Sequence, residues 1–193
     1  MNAAGRGDLA SVKAALAEGA TIDARDERQQ SALLIAIQRD DHALVLHLIG
    51  QGADINAEAD NHDTPWLLAG ALGRTEILVA MLDTSKVDYA KRNRYGGNAL
   101  IPACERGHVE TVRLLLDRSK IDVNHVNNLG WTALLEAVIL SDGGPRHIEI
   151  VKLLLDAGAD PNIADNDGVT PLKHARDHRY DAMAAMIKDA GGK

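Results

Sequence analysis

The residue types that could carry chemistry are present in this chain, but their spacing does not assemble a reactive pattern. Asp165-Asn166-Asp167-Gly168 has the alternating oxygen groups of a calcium loop. The full loop would need Asp at 163 and Glu at 173, where Ile163 and Lys173 stand, so the segment is read as a turn. Eight histidines are scattered, and none shares an i, i+4 helix face with a second histidine and a glutamate, as a zinc hydrolase would require. His108 is expected to cap or pack locally. Cys104 lies beside Ala103 with no base and orienting group nearby in sequence, so a small buried hydrophobe is expected there and not a nucleophile. Gly96-Gly97 and Gly143-Gly144 lack the Lys-Ser/Thr that completes a phosphate loop. Asp40-Asp41 is read as a solvated turn. No catalytic residue, metal ligand or cofactor is assigned, and the chain is expected not to be an enzyme.

The totals narrow the partners. The chain has 193 residues, a net charge of −7 and a pI near 5.6, which argues against neutralising a phosphate backbone. No run of 18 apolar residues is present, so no membrane span is expected. The first ten residues have neither a basic start nor an apolar run, and with a single cysteine no internal disulfide is possible. A reducing cytoplasm is the expected compartment. There is no phenylalanine, and aromatics make up 3%. Thin layers of paired helices can be filled with Ala, Leu, Ile and Val, whereas an irregular three-dimensional core usually needs large rings.

Positioning comes from an internal repeat. Ser31-Ala32-Leu33-Leu34, Thr64-Pro65-Trp66-Leu67, Asn98-Ala99-Leu100-Ile101, Thr132-Ala133-Leu134-Leu135 and Thr170-Pro171-Leu172-Lys173 align, each followed by Ala at one offset (Ala36, Ala69, Ala103, Ala137, Ala175). Their spacings are 33, 34, 34 and 38 residues. Ser, Thr and Asn at the first position can accept a bond from an orphan N–H at a helix start. Pro65 and Pro171 follow where a missing N–H is harmless. Each cap therefore predicts a short helix whose third residue, Leu or Trp, faces inward; Trp66 is read as core.

A second helix is predicted over 42–49, 75–82, 109–116, 147–155 and 181–187. Leu44/Leu48, Ile77/Met81, Val112/Leu116 and Ile150/Leu154 are its apolar stripe, and Met183, Met186 and Ile187 the inward side of the last one. Gly52 and Gly158 should end helices in the left-handed region.

These motifs resemble the ankyrin repeat family. Asp165-Asn166-Asp167-Gly168-Val169-Thr170-Pro171-Leu172, Gly107-His108-Val109-Glu110, Gly52-Ala53-Asp54-Ile55-Asn56 and Gly158-Ala159-Asp160-Pro161-Asn162 match its pattern. The chain looks like the small stand-alone bacterial members. The resemblance implies an all-α ankyrin repeat solenoid of stacked helix-turn-helix units joined by β-hairpin or turn loops. It also implies a single domain over 1–193: a truncated first repeat (1–25), repeats over 26–58, 59–92, 93–126 and 127–164, and a closing repeat (165–193). TPR signatures are missing.

Three departures stand out. The family histidine is replaced by Leu34, Leu67, Ile101, Leu135 and Lys173, so its side-chain hydrogen bond is expected to be lost throughout and apolar packing to substitute. The segments 82–88 and 116–122 carry one extra residue, expected to let the chain leave the helix without positive φ. An insertion of about five residues surrounds 141–146, either a bland connection or a contact loop.

In this family the hairpin tips and first helices usually carry the partner site. Mapping the variable positions onto this chain gives Arg28, Arg39, Asp63, Leu72, Arg94, Tyr95, Glu105, Arg106, Leu129, Trp131, Ile139 and Leu140 as candidate partner-binding residues. Tyr95, Leu129, Trp131, Ile139 and Leu140 would form one apolar patch; alternatively, the insertion covers Ile139 and Leu140 as local core. The expected function is a protein-protein interaction module (adaptor, scaffold or inhibitor) acting as a monomer on another protein, with no nucleic acid and no membrane. The rival is a small-ligand binder or enzyme using polar groups such as Asp63, Arg94, Glu105 and Arg106.

Overall fold

In the computed structural model, which describes residues 2–193, the chain forms twelve helices and no β-strand among those residues, with one isolated bridge between Arg25 and Ser31. Met1, the first residue of the expected truncated repeat, lies outside the described residues. The helices are α1 (Asn2–Arg6), α2 (Leu9–Ala17), α3 (Ala32–Gln38), α4 (His42–Gly50), α5 (Pro65–Ala71), α6 (Thr75–Asp83), α7 (Leu100–Glu105), α8 (Val109–Arg118), α9 (Ala133–Ile139), α10 (Pro145–Asp156), α11 (Pro171–Asp177) and α12 (Asp181–Asp189).

All five expected caps are made. Ser31, Thr64 and Thr132 hydroxyls accept the amide hydrogens of Leu34, Leu67 and Leu135 at 3.2 Å. Asn98 Oδ1 accepts those of Leu100 and Ile101, and Thr170 that of Lys173. Capping ties the start of each first helix to its turn, because the first N–H groups have no partner within the helix. The third residue of each segment is buried: Leu33, Trp66, Leu100, Leu134 and Leu172.

The chain divides into two compact units. The first comprises residues up to Ala69 together with Arg74–Arg94. Here α1 packs on α2 and α3, α3 on α4, and α4 on α6, around Leu33, Ile37, Leu44, Leu48, Ile77 and Met81. Trp66 meets Tyr89 edge to face with ring centroids 5.9 Å apart. The second comprises Gly70–Gly73 and Tyr95–Lys193. In it α7, α9 and α11 pack in sequence, as do α8, α10 and α12, and each first helix packs on its own second helix.

Several stripe assignments shift. In α8 Leu115 is fully buried and Leu116 only partly, so the expected Val112/Leu116 pair is replaced by Thr111/Leu115 with Val112 beside it. A buried Thr at the stripe position, followed by Leu114-Leu115-Leu116, hid the phase of this helix. Met186 is also half-exposed and not inward; with Ile148 and Leu153 it lines a groove of about 520 Å³ between α10 and α12.

Gly52 and Gly158 take φ of 85° and 87° as expected. The extra residue removes the need for positive φ after α8, where Ser119 is extended. After α6 it does not, because Ser85 adopts φ 56°.

The insertion lengthens α10 at its start, with Pro145 at the first helical position. It does not cover Leu140, which remains 47% exposed. Tyr180 anchors it instead, donating its hydroxyl hydrogen to the Ser141 carbonyl at 2.8 Å.

Candidate functional site

The hairpin turns display the candidate side chains, and their geometry follows from one acceptor. Asp26, Asn127 and Asp165 each place Oδ1 within 3.0 Å of two backbone amides further along the turn. The fourth residue of each turn has positive φ: Gln29, His62, Gly96, Gly130 and Gly168. In the second unit adjacent tips are tied together. Asn128 N–H donates to the Tyr95 carbonyl at 2.8 Å, and Asn166 Nδ2 to that of Leu129 at 3.1 Å.

These bonds hold Tyr95 and Leu129, each 49% exposed, on neighbouring tips. Trp131 is half-buried just before the Thr132 cap of α9. Ile139 is half-buried and Leu140 exposed at the other end of that helix. Leu72 is half-buried, Glu105 half-buried at the end of α7, and Arg106 exposed, donating Nη1–H to the Ala71 carbonyl at 2.7 Å. In the first unit Arg28, Arg39 and Arg94 are exposed, and the Asp63 carboxylate accepts a bond from Asn61 Nδ2 at 2.7 Å. His108 packs its ring against Gly73, where a Cβ would lie 2.7 Å away.

Sequence reasoning missed a buried acid in the same unit. Glu136, in the middle of α9, is 5% exposed and accepts a hydrogen bond from Asn127 Nδ2 at 3.0 Å. Burial, then the neighbouring Glu105 carboxylate, push its carboxyl up to about 7 against the pull of the Asn127 bond. Burial, with Glu136 nearby, also pushes the fully buried Cys104 thiol well up, so it is held protonated and unreactive.

The signal was available in the alignment. The residue four places after each cap is Ile35, Leu68, Pro102, Glu136 and His174, so a carboxylate occupies a position that is apolar in three other copies.

At this offset, one residue past the positions where the family histidine is replaced, two other side-chain bonds join turn to helix. His174 Nε2–H donates to Asp165 Oδ2 at 2.7 Å, and Glu136 accepts from Asn127, both nine residues apart. Burial opposes ionisation of Asp165, but the Val169 amide, His174 and the Asp167 amide outweigh it and hold its carboxyl below the usual value. Among the described residues no three His, Cys, Asp or Glu side chains gather as a metal cluster, and no helix is long and apolar enough to cross a membrane.

Known proteins share this architecture. The family model for ankyrin repeats (3 copies) matches residues 1–93 and 73–165. The ankyrin repeat protein YahD of Escherichia coli (strain K12) is 39% identical over 98% of this chain and 94% of its own length. A crystal structure of an ankyrin repeat domain from Acinetobacter baumannii AYE superposes with a TM-score of 0.94 at 49% identity, covering 99% of this chain and 96% of that one. A second crystallised ankyrin repeat protein has a TM-score of 0.94 at 41% identity, over 100% and 96%. Capped helix pairs, left-handed turn residues, the matching family pattern and these relatives agree: the chain belongs to the ankyrin repeat family, an all-α repeat fold that generally serves as a protein-protein interaction module.

Proposed function

We propose that this chain is a non-enzymatic interaction module of the cytoplasm, binding a partner protein on the hairpin tips and first helices. Its main docking face is the α7–α9 side of the second unit. The observation that carries the reading is the exposure of Leu129 and Leu140 on either side of α9 and of Tyr95 on the adjacent turn before α7. Large side chains held half in water by fixed backbone bonds lose little entropy on binding, and Tyr and Trp are favoured anchors. The polar groups proposed for a small-ligand site are in part already engaged, since Asp63 bonds Asn61 and Arg106 bonds the Ala71 carbonyl.

A photo-crosslinking residue placed at Leu129, with mass spectrometry of the products, tests this face. Cross-links to a defined partner, lost in Tyr95→Ala/Trp131→Ala with an unchanged melting temperature, are expected. Capture of the same partners at equal strength by that variant overturns the site. A reproducible thermal shift with one metabolite and no cross-linked protein would favour the ligand reading.

A further inference from the structure

Between His125 and Arg146 the chain has no basic residue, and its only charges are Glu136 and Asp142. Among the described residues Glu136 is nearly buried, takes a hydrogen bond from the neutral carboxamide of Asn127, and has its ionisation opposed by Glu105. An apolar residue at this position would spare the fold the burial of a carboxylate, as Ile35 and Leu68 do in other copies. The same helix pair exposes apolar side chains: Leu129, whose amide bonds the Asn127 carboxamide that also holds Glu136; Tyr95 on the adjacent tip; and Leu140, one helical turn after Glu136.

We propose that the α7–α9 face receives a lysine or arginine side chain from a segment of the partner protein, paired with Glu136 and Glu105, while the apolar neighbours of that side chain lie against Tyr95, Leu129 and Leu140. This rests on the reading of the face as a docking surface. Charge complementarity selects the occupant: two carboxylates, one opposing the ionisation of the other, with no ion pair among the described residues, are relieved by one positive charge, and the exposed Tyr95 ring of the same face offers a cation–π surface.

The basic groups on the elements packed against α9 are engaged elsewhere or exposed: on α10, Arg146 is exposed with its Nε near Gly107, and Lys152 pairs with Asp156. Just after α7, Arg106 is directed to the Ala71 carbonyl. On α10, His147 donates Nε2–H to the Glu105 carbonyl at 3.0 Å and its Nδ1 stands 3.4 Å from Asp142. On α11, His174 is held by Asp165 and Lys173 by Asp177, while Arg176 and His178 are exposed. None of these cations is among the influences on Glu136, which are burial, Glu105 and Asn127.

The probe is a phage-displayed library of random dodecapeptides selected against the full chain, with binding of the selected peptides measured at pH 6 and pH 8 to wild type, Glu136→Gln, Glu105→Gln and Leu129→Ser. Enriched peptides are expected to carry Lys or Arg beside apolar residues. Their affinity should rise about tenfold from pH 6 to pH 8 as Glu136 loses its proton, and this rise should vanish in Glu136→Gln. Peptides without basic residues that are weakened by Leu129→Ser but indifferent to Glu136→Gln overturn the cation site and leave the docking face standing. Peptides indifferent to Leu129→Ser as well, or no enrichment at all, overturn both.

Discussion

Asn127 donates its Nδ2–H to Glu136 Oε1 across 3.0 Å, while the oxygen of the same carboxamide accepts the amides of Leu129 and Trp131. A single side chain therefore links the buried carboxylate to the turn that displays the candidate anchors.

Glu136 should make stability depend on pH. Below its ordinary value of 4.5 the group is protonated in both folded and unfolded chains and costs nothing. Between 4.5 and about 7 the folded protein retains a proton that the unfolded chain has released, so stability falls as pH rises; above that range the cost is complete. Glu136→Gln keeps an oxygen acceptor for Asn127 and removes the charge. Urea unfolding should show the variant more stable than wild type by about 1–3 kcal/mol at pH 8, with little gain at pH 4. Parallel profiles for the two proteins would contradict this.

Asp165 works in the opposite sense. Its carboxyl is held below 3.8, so its contribution is present at neutral pH and disappears as the pH falls through that lowered value. Asp165→Ala removes the acceptor for two turn amides and for His174, and should cost about 2–3 kcal/mol in chemical denaturation at pH 7. Asp165→Asn, which preserves Oδ1, should cost less than half as much.

The turn glycines and their substitutes predict changes of opposite sign. Gly130 has φ 82°, and a Cβ there would stand 2.5 Å from the Asn166 carboxamide that binds the Leu129 carbonyl. Gly130→Ala should destabilise by about 2 kcal/mol. Gln29 holds φ 57° without glycine's freedom, and Gln29→Gly should stabilise by about 0.5 kcal/mol. Thermal melts of the two variants, run together, check both signs.

The N-terminal helices are underfilled. Ala3, Ala4, Val12, Ala15, Leu16 and Leu48 are among the residues lining a pocket of about 170 Å³ in the first unit. Ala15→Leu should fill part of it and raise stability by about 0.5–1.5 kcal/mol, seen as a higher urea midpoint with an unchanged m-value.

Local chemistry made the repeat legible. A cap, a proline at the first helical position and a glycine past a helix end act within a few residues, so Ser31, Thr64, Asn98, Thr132 and Thr170 declared their helices without tertiary information. The exposed apolar residues Leu129 and Leu140 could also be placed by offset from those caps. Burial phase was less accessible where apolar residues are contiguous: Leu115 and Leu116 differ only in which side of α8 the neighbouring helices cover.

Tertiary structure alone decided three things. It turned Tyr180, and not Leu140, toward the insertion. It brought Glu105, from a helix about thirty residues earlier, near enough to Glu136 to oppose its ionisation. It also joined Asn127 to Glu136, nine residues on, so that a carboxylate in an ordinary amphipathic pattern became a desolvated charge. Capping is a bond between near neighbours, whereas desolvation and charge repulsion depend on what the fold stacks above and below. For that reason the sequence by itself determined the scaffold, and only packing decided that its fourth capped helix carries a buried acid.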